Sequence, residues 1–437
     1  MHAVDSQLYY TPAPERTQRL SAPPLILVTI FSQRPRYESV RRCGTIMPTE
    51  NKGDKVLTDG KTRVALMDCA SYDTALLMNK IDKALALLGG FSQWIHPGMN
   101  VLLKVNLIDP MPPESAAVTH AEFVRAVVRL LQPLGCTVWI GDSSGGAIGG
   151  KAQTGRSFAV SGLEAVAQEE GAVIKNFDRE GLVEVQTGSG VMHLAKPLFD
   201  ADFVINLPKL KSHLLATYTG AVKNLYGCVP GQMKATYHKQ AQSAREFGEV
   251  ICAINKHVKP GLHILDGVVA MDGQGPTSGK PYAAGKILAA ADPLALDAVA
   301  VRMLGRNIRE LPLYAASVRE GIGAADISRI KVCGDYDTPP RLPGFKLPRV
   351  MGAEKAPGNI FGRMIDLMRT RPLVDEAVCK RCNVCVESCP VEAIDKATKR
   401  IDYEACIGCM CCHEMCTYHA VKLVRANPLM RALSRPK

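Results

Sequence analysis

The sequence predicts an α/β protein built on a mostly parallel sheet with flanking helices, followed by a small cysteine-rich α+β domain. Two observations carry this. From residue 61 onward, short apolar runs alternate with segments of helical periodicity, the pattern of β-α-β units. Near residue 372 the texture changes, and cysteines appear in two closely spaced runs.

Residues 1–60 are rich in Pro, Ser, Thr and charge without sustained periodicity, and they read as a poorly ordered extension. Met1 and Met47 are both candidate translation starts. Val64–Met67 is the first strand candidate. Ser71–Leu88 has apolar residues at helical spacing and stops at Gly89-Gly90. Val101–Val105 is a second strand. Thr119-His120-Ala121-Glu122 reads as a capping box opening a helix through Leu131. Cys136–Ile140 is a third strand, and Ser161-Gly162-Leu163-Glu164 reads as another capping box. Ala172–Ile174, Phe203–Leu207, Leu262–Leu265, Ile287–Ala290 and Ile330–Val332 are further strands, with a helix at Leu294–Leu304. One lobe and two both fit this pattern over residues 61–338. Residues 339–371 carry Pro339, Pro340, Pro343, Pro348 and Pro357 and read as a linker. The cysteine-rich domain spans 372–424, and 425–437 is a basic tail.

The cysteine runs carry the chemistry. Cys379, Cys382, Cys385 and Cys389 repeat as Cys406, Cys409, Cys412 and Cys416, each with Cys-x2-Cys-x2-Cys-x3-Cys spacing. That is the ligand spacing of two-cluster bacterial ferredoxins. Three cysteines on a tight loop face one cube, and the fourth, opening a helix, serves the other. The expected sets are therefore Cys379, Cys382, Cys385 with Cys416, and Cys406, Cys409, Cys412 with Cys389. Zinc sites use pairs rather than triplets with a trailing fourth, and a disulfide framework requires an oxidising compartment. Cys411 is left over inside the second run, and Thr417 stands where the first run has Pro390. The seven cysteines outside the two quartets, Cys411 among them, are scattered, which fits buried small hydrophobes in a reducing cytoplasm.

Composition narrows the partners. The net charge of +11 favours anionic small-molecule substrates or an acidic redox partner such as a ferredoxin or flavodoxin. With 5% aromatic residues and no recognisable module, nucleic acid is not expected. No apolar run reaches the ~20 residues of a membrane span, and no export signal is evident, so the expected location is cytoplasmic.

Three stretches in the large domain are candidate sites. Gly141–Lys151 begins as a phosphate-binding loop, but Ala152 replaces the magnesium-binding Ser/Thr and the Ser161 box sets the next helix too far away. A glycine-rich turn offering amides to an anion and a plain flexible turn remain. Asp142, Ser143, Gly145 and Gly146 are its candidate cofactor-binding residues, with Lys104 and Asn106 from the end of the second strand. The densest stretch is Asn206–His213 running on to Thr219–Gly227. There Lys209, Lys211, His213, Lys223 and Asn224 gather positive charge beyond a strand end, where α/β sheets bind ligands. Clustered lysines depress one another's pKa and so prepare a proton donor. A solvated basic loop is the plainer alternative. The third stretch is Asp266-Gly267, Asp272–Pro276, Asp292 and Asp297, with Asp292 placed to cap a helix.

Leu102–Asn106, Gly141-Asp142-Ser143, Asn206–His213, Thr219–Asn224 and Gly273–Pro276 together resemble domain-of-unknown-function family 362, whose members are iron–sulfur proteins. Val105 stands where a proline is expected. The resemblance covers Val64 to Gly334, with the ferredoxin domain appended. It implies an α/β domain and cluster binding, and no settled reaction. The resulting expectation is an oxidoreductase in which two 4Fe-4S clusters relay electrons to a substrate or cofactor in the basic cleft, with no flavin fingerprint visible. A non-catalytic electron-transfer protein that docks a partner, and a non-redox enzyme with structural or sensing clusters, are the alternatives.

Overall fold

The structure, a computed structural model, describes residues 60–348 and 370–425 apart from Gly146, Gly149, Gly150, Gln232 and Gln242. The predicted N-terminal extension, most of the linker and nearly all of the basic tail lie outside the described residues.

Ten strands form the main sheet: β1 (Thr62–Asp68), β2 (Asn100–Lys104), β3 (Thr137–Asp142), β4 (Val173–Asn176), β5 (Phe203–Asn206), β6 (Lys209–His213), β7 (Thr217–Thr219), β8 (Leu262–Asp272), β9 (Lys280–Ala290) and β10 (Ile330–Gly334). Their order is β10-β1-β9-β8-β5-β2-β3-β4, with β6 paired to β8 and β7. Along the main path only β9 runs antiparallel to its neighbours. The fold is thus a mostly parallel α/β sheet.

Strand alternation explains the layers. Val64, Leu66 and Leu102 face one core, where the helices Ala244–Val258 and Pro293–Met303 pack. Ala65, Met67, Val101 and Leu103 face the other, against α1 (Thr74–Ala86) and α2 (Ala121–Leu131). Both faces being covered accounts for the continuous apolar runs of the strands.

Several local expectations are corrected. The α2 cap is His120, whose Nδ1 accepts from Glu122 N–H, rather than Thr119. The Thr119 hydroxyl is already engaged, accepting from Asn106 N–H and donating to the Leu207 carbonyl. Gly162, not Ser161, caps Leu163–Glu170, because the Ser161 hydroxyl turns back to Phe158 O. A helix already begins at Thr154, close behind a small hairpin of Ala147–Ile148 with Lys151–Ala152. Two short paired strands thus occupy part of the glycine-rich run among the described residues. The hairpin Leu182–Thr187 with Gly190–Ala195 was missed in the sequence, although the alternation of Val183 and Val185 and the two-residue Gly188-Ser189 loop are a hairpin signal.

In the C-terminal domain, Thr370–Val374 pairs antiparallel with Val421–Arg425. Between them lie short helices, Val384–Glu387 and Cys411–Glu414. Left-handed backbone positions recur with the same spacing that separates Cys379 from Cys406: Arg381 with Gly408, Asn383 with Met410, and Glu392 with His419. The repeat read from the cysteines is thus also a repeat of turn conformation.

Candidate functional site

A cavity of about 710 Å³ opens beyond the carboxyl ends of β2 and β3, beside β6. Its far wall is the cysteine-rich domain, which contributes Ser388, Cys389, Cys411, Glu414 and Met415. The two domains meet through Thr277 Oγ1, which donates to Glu414 O (2.8 Å), and through Ser278 Oγ beside His419 Nδ1 (2.9 Å).

Beneath the cavity floor lies a buried polar network. Lys104 Nζ pairs with Asp142 Oδ1 at 2.8 Å and donates to Val105 O. Asp142 Oδ2 accepts from Leu107 N–H and fixes the turn after β2. Lys211 Nζ donates to Asn106 Oδ1 (2.7 Å) and Ala117 O (2.6 Å). Asn106 Nδ2 donates to Asn224 Oδ1, and Asn224 Nδ2 to Asn206 Oδ1. This amide chain sets the floor.

The basic stretch is a buried strand, not a solvated loop: all five residues of β6 are buried. Lys209 and Lys211 separate because the pairing with β8 shifts register between them. Lys209 points away from the cavity. Its Nζ pairs with Asp266 Oδ2 at 2.7 Å and donates to Tyr72 Oη, while Tyr72 stacks on His120. Lys209 is thus corrected out of the cleft, because Asp266 claims its ammonium. Asp142 and Ser143 line the cavity, as do Asn106, Lys211, His213, Lys223, Asn224 and Gly145; Lys104 lies beneath it. Gly146 lies outside the described residues.

Neither Lys211 nor Lys223 forms an ion pair among the described residues, although both border the cavity. Burial lowers Lys211 well below its usual value, with the Lys223 charge adding to the effect. Burial likewise brings Lys223 down to about 8, against the pull of Glu414. Burial raises Glu414 to about 7. Glu414 Oε1 and Thr219 Oγ1 are buried without a hydrogen-bond partner.

Reading the sequence alone missed Lys234, His238, Cys411 and Glu414 as cavity residues. Lys234 and His238 sit four apart on the helix Met233–Gln240 and so share a face. That spacing was the available signal. Glu414 was hidden in the gap between Cys412 and Cys416.

Two small cavities mark the cysteine-rich domain. Cys379, Cys382, Cys385 and Cys416 line one; Cys389, Cys406, Cys409 and Cys412 line the other. The N–H groups of Ala393 and Ala420, at matching places in the two halves, donate to Cys389 Sγ and Cys416 Sγ at 3.2 Å. Such donors stabilise thiolates bound to a cluster. Among the described residues no three Cys, His, Asp or Glu side chains converge closely enough for a single ion. Two all-sulfur quartets with N–H donors fit a cubane in each place, and Cys389 lines the large cavity as well.

The family described as Domain of unknown function (DUF362) matches residues 101–302, and a 4Fe-4S dicluster domain matches residues 371–417. Thylakoid-associated protein sll1697 of Synechocystis sp. is 37% identical over 301 residues, covering 66% of this chain and 92% of that protein. Pyruvate synthase subunit PorD of Methanocaldococcus jannaschii is 36% identical over 73 residues, 16% of this chain and 85% of that protein. Among solved structures, the lactate racemase apoprotein from Thermoanaerobacterium thermosaccharolyticum shares 14% identity at a TM-score of 0.37, over 57% of this chain and 58% of that one. No helix among the described residues is long and apolar enough to cross a membrane.

Proposed function

The chain belongs to the DUF362 family and carries a 4Fe-4S dicluster domain, and from that premise we propose that it is an iron–sulfur oxidoreductase acting on an anionic substrate in the interdomain cavity. The observation that carries the reading is the position of Cys389, which lines both a cysteine-ringed cavity and the large basic one. In this reading Cys379, Cys382, Cys385 and Cys416 hold one cluster, and Cys389, Cys406, Cys409 and Cys412 the other. Bound clusters of this type supply electrons singly at low potential.

The protein's own groups do the rest. Lys223 holds the substrate's negative charge as a cavity ammonium lacking a paired carboxylate, and Lys211 fixes Asn106 beside it. Asn106 and Asn224 orient it from the floor. Lys223, brought down to about 8, gives up a proton near neutral pH more readily than an ordinary lysine. Cys382 is exposed on the outer quartet, so a one-electron carrier such as a ferredoxin or flavodoxin docks there.

Protein reconstituted without oxygen should hold about eight irons and be reduced by dithionite. Reduced protein is then mixed with unsaturated carboxylates, and re-oxidation is followed by electron paramagnetic resonance. Lys223→Met should keep the iron and the spectrum while losing re-oxidation. Clusters that dithionite cannot reduce, or equal re-oxidation in the variant, would sink the reading.

A further inference from the structure

His213 is held in one tautomer by the backbone that follows it. After β6 the chain reverses into β7, with Thr217 in the left-handed region at φ 67°. That reversal turns the N–H groups of Leu215 and Ala216 onto His213 Nδ1, each at 3.2 Å. Two donors on one ring nitrogen require it to be the acceptor, so the proton of the neutral ring sits on Nε2. His213 is 3% exposed and lines the cavity.

The groups facing it favour the uncharged ring. Lys211 stands two residues before it on β6, Lys223 comes from the helix Ala221–Asn224, and His238 from Met233–Gln240. Burial first, and then these three neighbours, lower His213 well below the usual histidine value. Among the described residues Glu414 is the acid beside it, with Oε1 3.6 Å from Nε2. That separation is too long for a hydrogen bond, and this oxygen has no partner. Thr219 Oγ1, also buried and unpartnered, lines the same cavity.

We propose that His213 is an uncharged hydrogen-bond donor whose Nε2–H, with the Lys223 ammonium, binds a substrate oxygen that carries or acquires negative charge, as in a carboxylate or an enolate. This rests on the anionic-substrate reading above and sharpens it: the histidine is not the proton donor. A donor that needs no protonation stabilises an oxygen as charge grows there, without itself losing a proton.

The probe is benzoate, titrated calorimetrically into cluster-loaded protein between about pH 5.5 and 9.5. In a Glu414→Gln background, which removes that acid's own titration, affinity should stay level across the ordinary histidine range and fall through about pH 8 as Lys223 loses its proton. His213→Ala should weaken binding about tenfold, the worth of one hydrogen bond to a charged group, with the cluster spectrum unchanged. His213→Gln, whose amide can place an N–H where Nε2–H sits, should recover most of that loss. In that background, an affinity that already falls about tenfold per pH unit above about 6.5, or His213→Gln no better than His213→Ala, overturns the proposal and leaves the anionic-substrate reading standing. Absence of benzoate binding at every pH overturns both.

Discussion

Lys209 and Lys211 differ by two positions and have opposite fates. Lys209 and Asp266 are both fully buried and paired at 2.7 Å, whereas Lys211 is buried against amide and carbonyl oxygens only. A buried ion pair is weak evidence of stability, but breaking one leaves an uncompensated charge. Asp266→Ala should therefore destabilise the cluster-loaded protein by about 3–5 kcal/mol, read as a lower urea midpoint. Adding Lys209→Met should restore most of it. Benzoate affinity in the double variant should match the parent, because Lys209 does not reach the cavity. A double variant as unstable as the single one would show that Asp266 acts through His120 N–H or Tyr72 instead. Sequence spacing suggested a single cluster of lysines. It did not reveal the register shift, which depends on β8, far along the chain.

At the scale of elements, the short helix Ala221–Asn224 places Lys223 and Asn224 and is too short to hold itself. Asp297, inside Pro293–Met303, holds it: Oδ1 accepts from Ala221 N–H (2.7 Å) and Tyr218 Oη, and Oδ2 from Val222 N–H (2.9 Å). Both oxygens are acceptors. Asp297→Asn puts an NH2 against one of those donors, which should cost about 1–3 kcal/mol and lower benzoate affinity by displacing Lys223. Thermal unfolding and calorimetry check the two effects separately. The sequence placed Asp297 near a helix start, and Asp292 does cap that helix by accepting from Ala295 N–H. That Asp297 anchors a different helix follows only from how the two pack.

Across the whole molecule, the two domains differ in what keeps them folded. The α/β part has two apolar layers, whereas the cysteine-rich domain buries a core of Cys385, Ile394, Cys412, Cys416, Ala420 and Val421. A core that small, made half of cysteines, depends on its metal for stability. Removing iron with a chelator should abolish amide exchange protection over 370–425 and leave β1, β2 and β5 protected. Exchange measured by mass spectrometry gives the answer region by region. Full protection of 370–425 without iron would refute this dependence. Because this domain forms the cavity's far wall, iron removal should also abolish benzoate binding.

The sequence by itself determined the α/β class, the place of most strands along the chain and the two repeated cysteine runs. These are local signals: periodicity within a strand or helix, and ligand spacing set by the geometry of a tight loop. The tertiary structure decided which lysines face the cavity, which tautomer His213 holds, and that Glu414 and Cys411 close the site from the other domain. Each of these depends on groups distant in the chain or on the path of the backbone, as with Asp266 opposite Lys209 or the turn that aims two N–H groups at one ring nitrogen, and residue spacing does not encode such meetings.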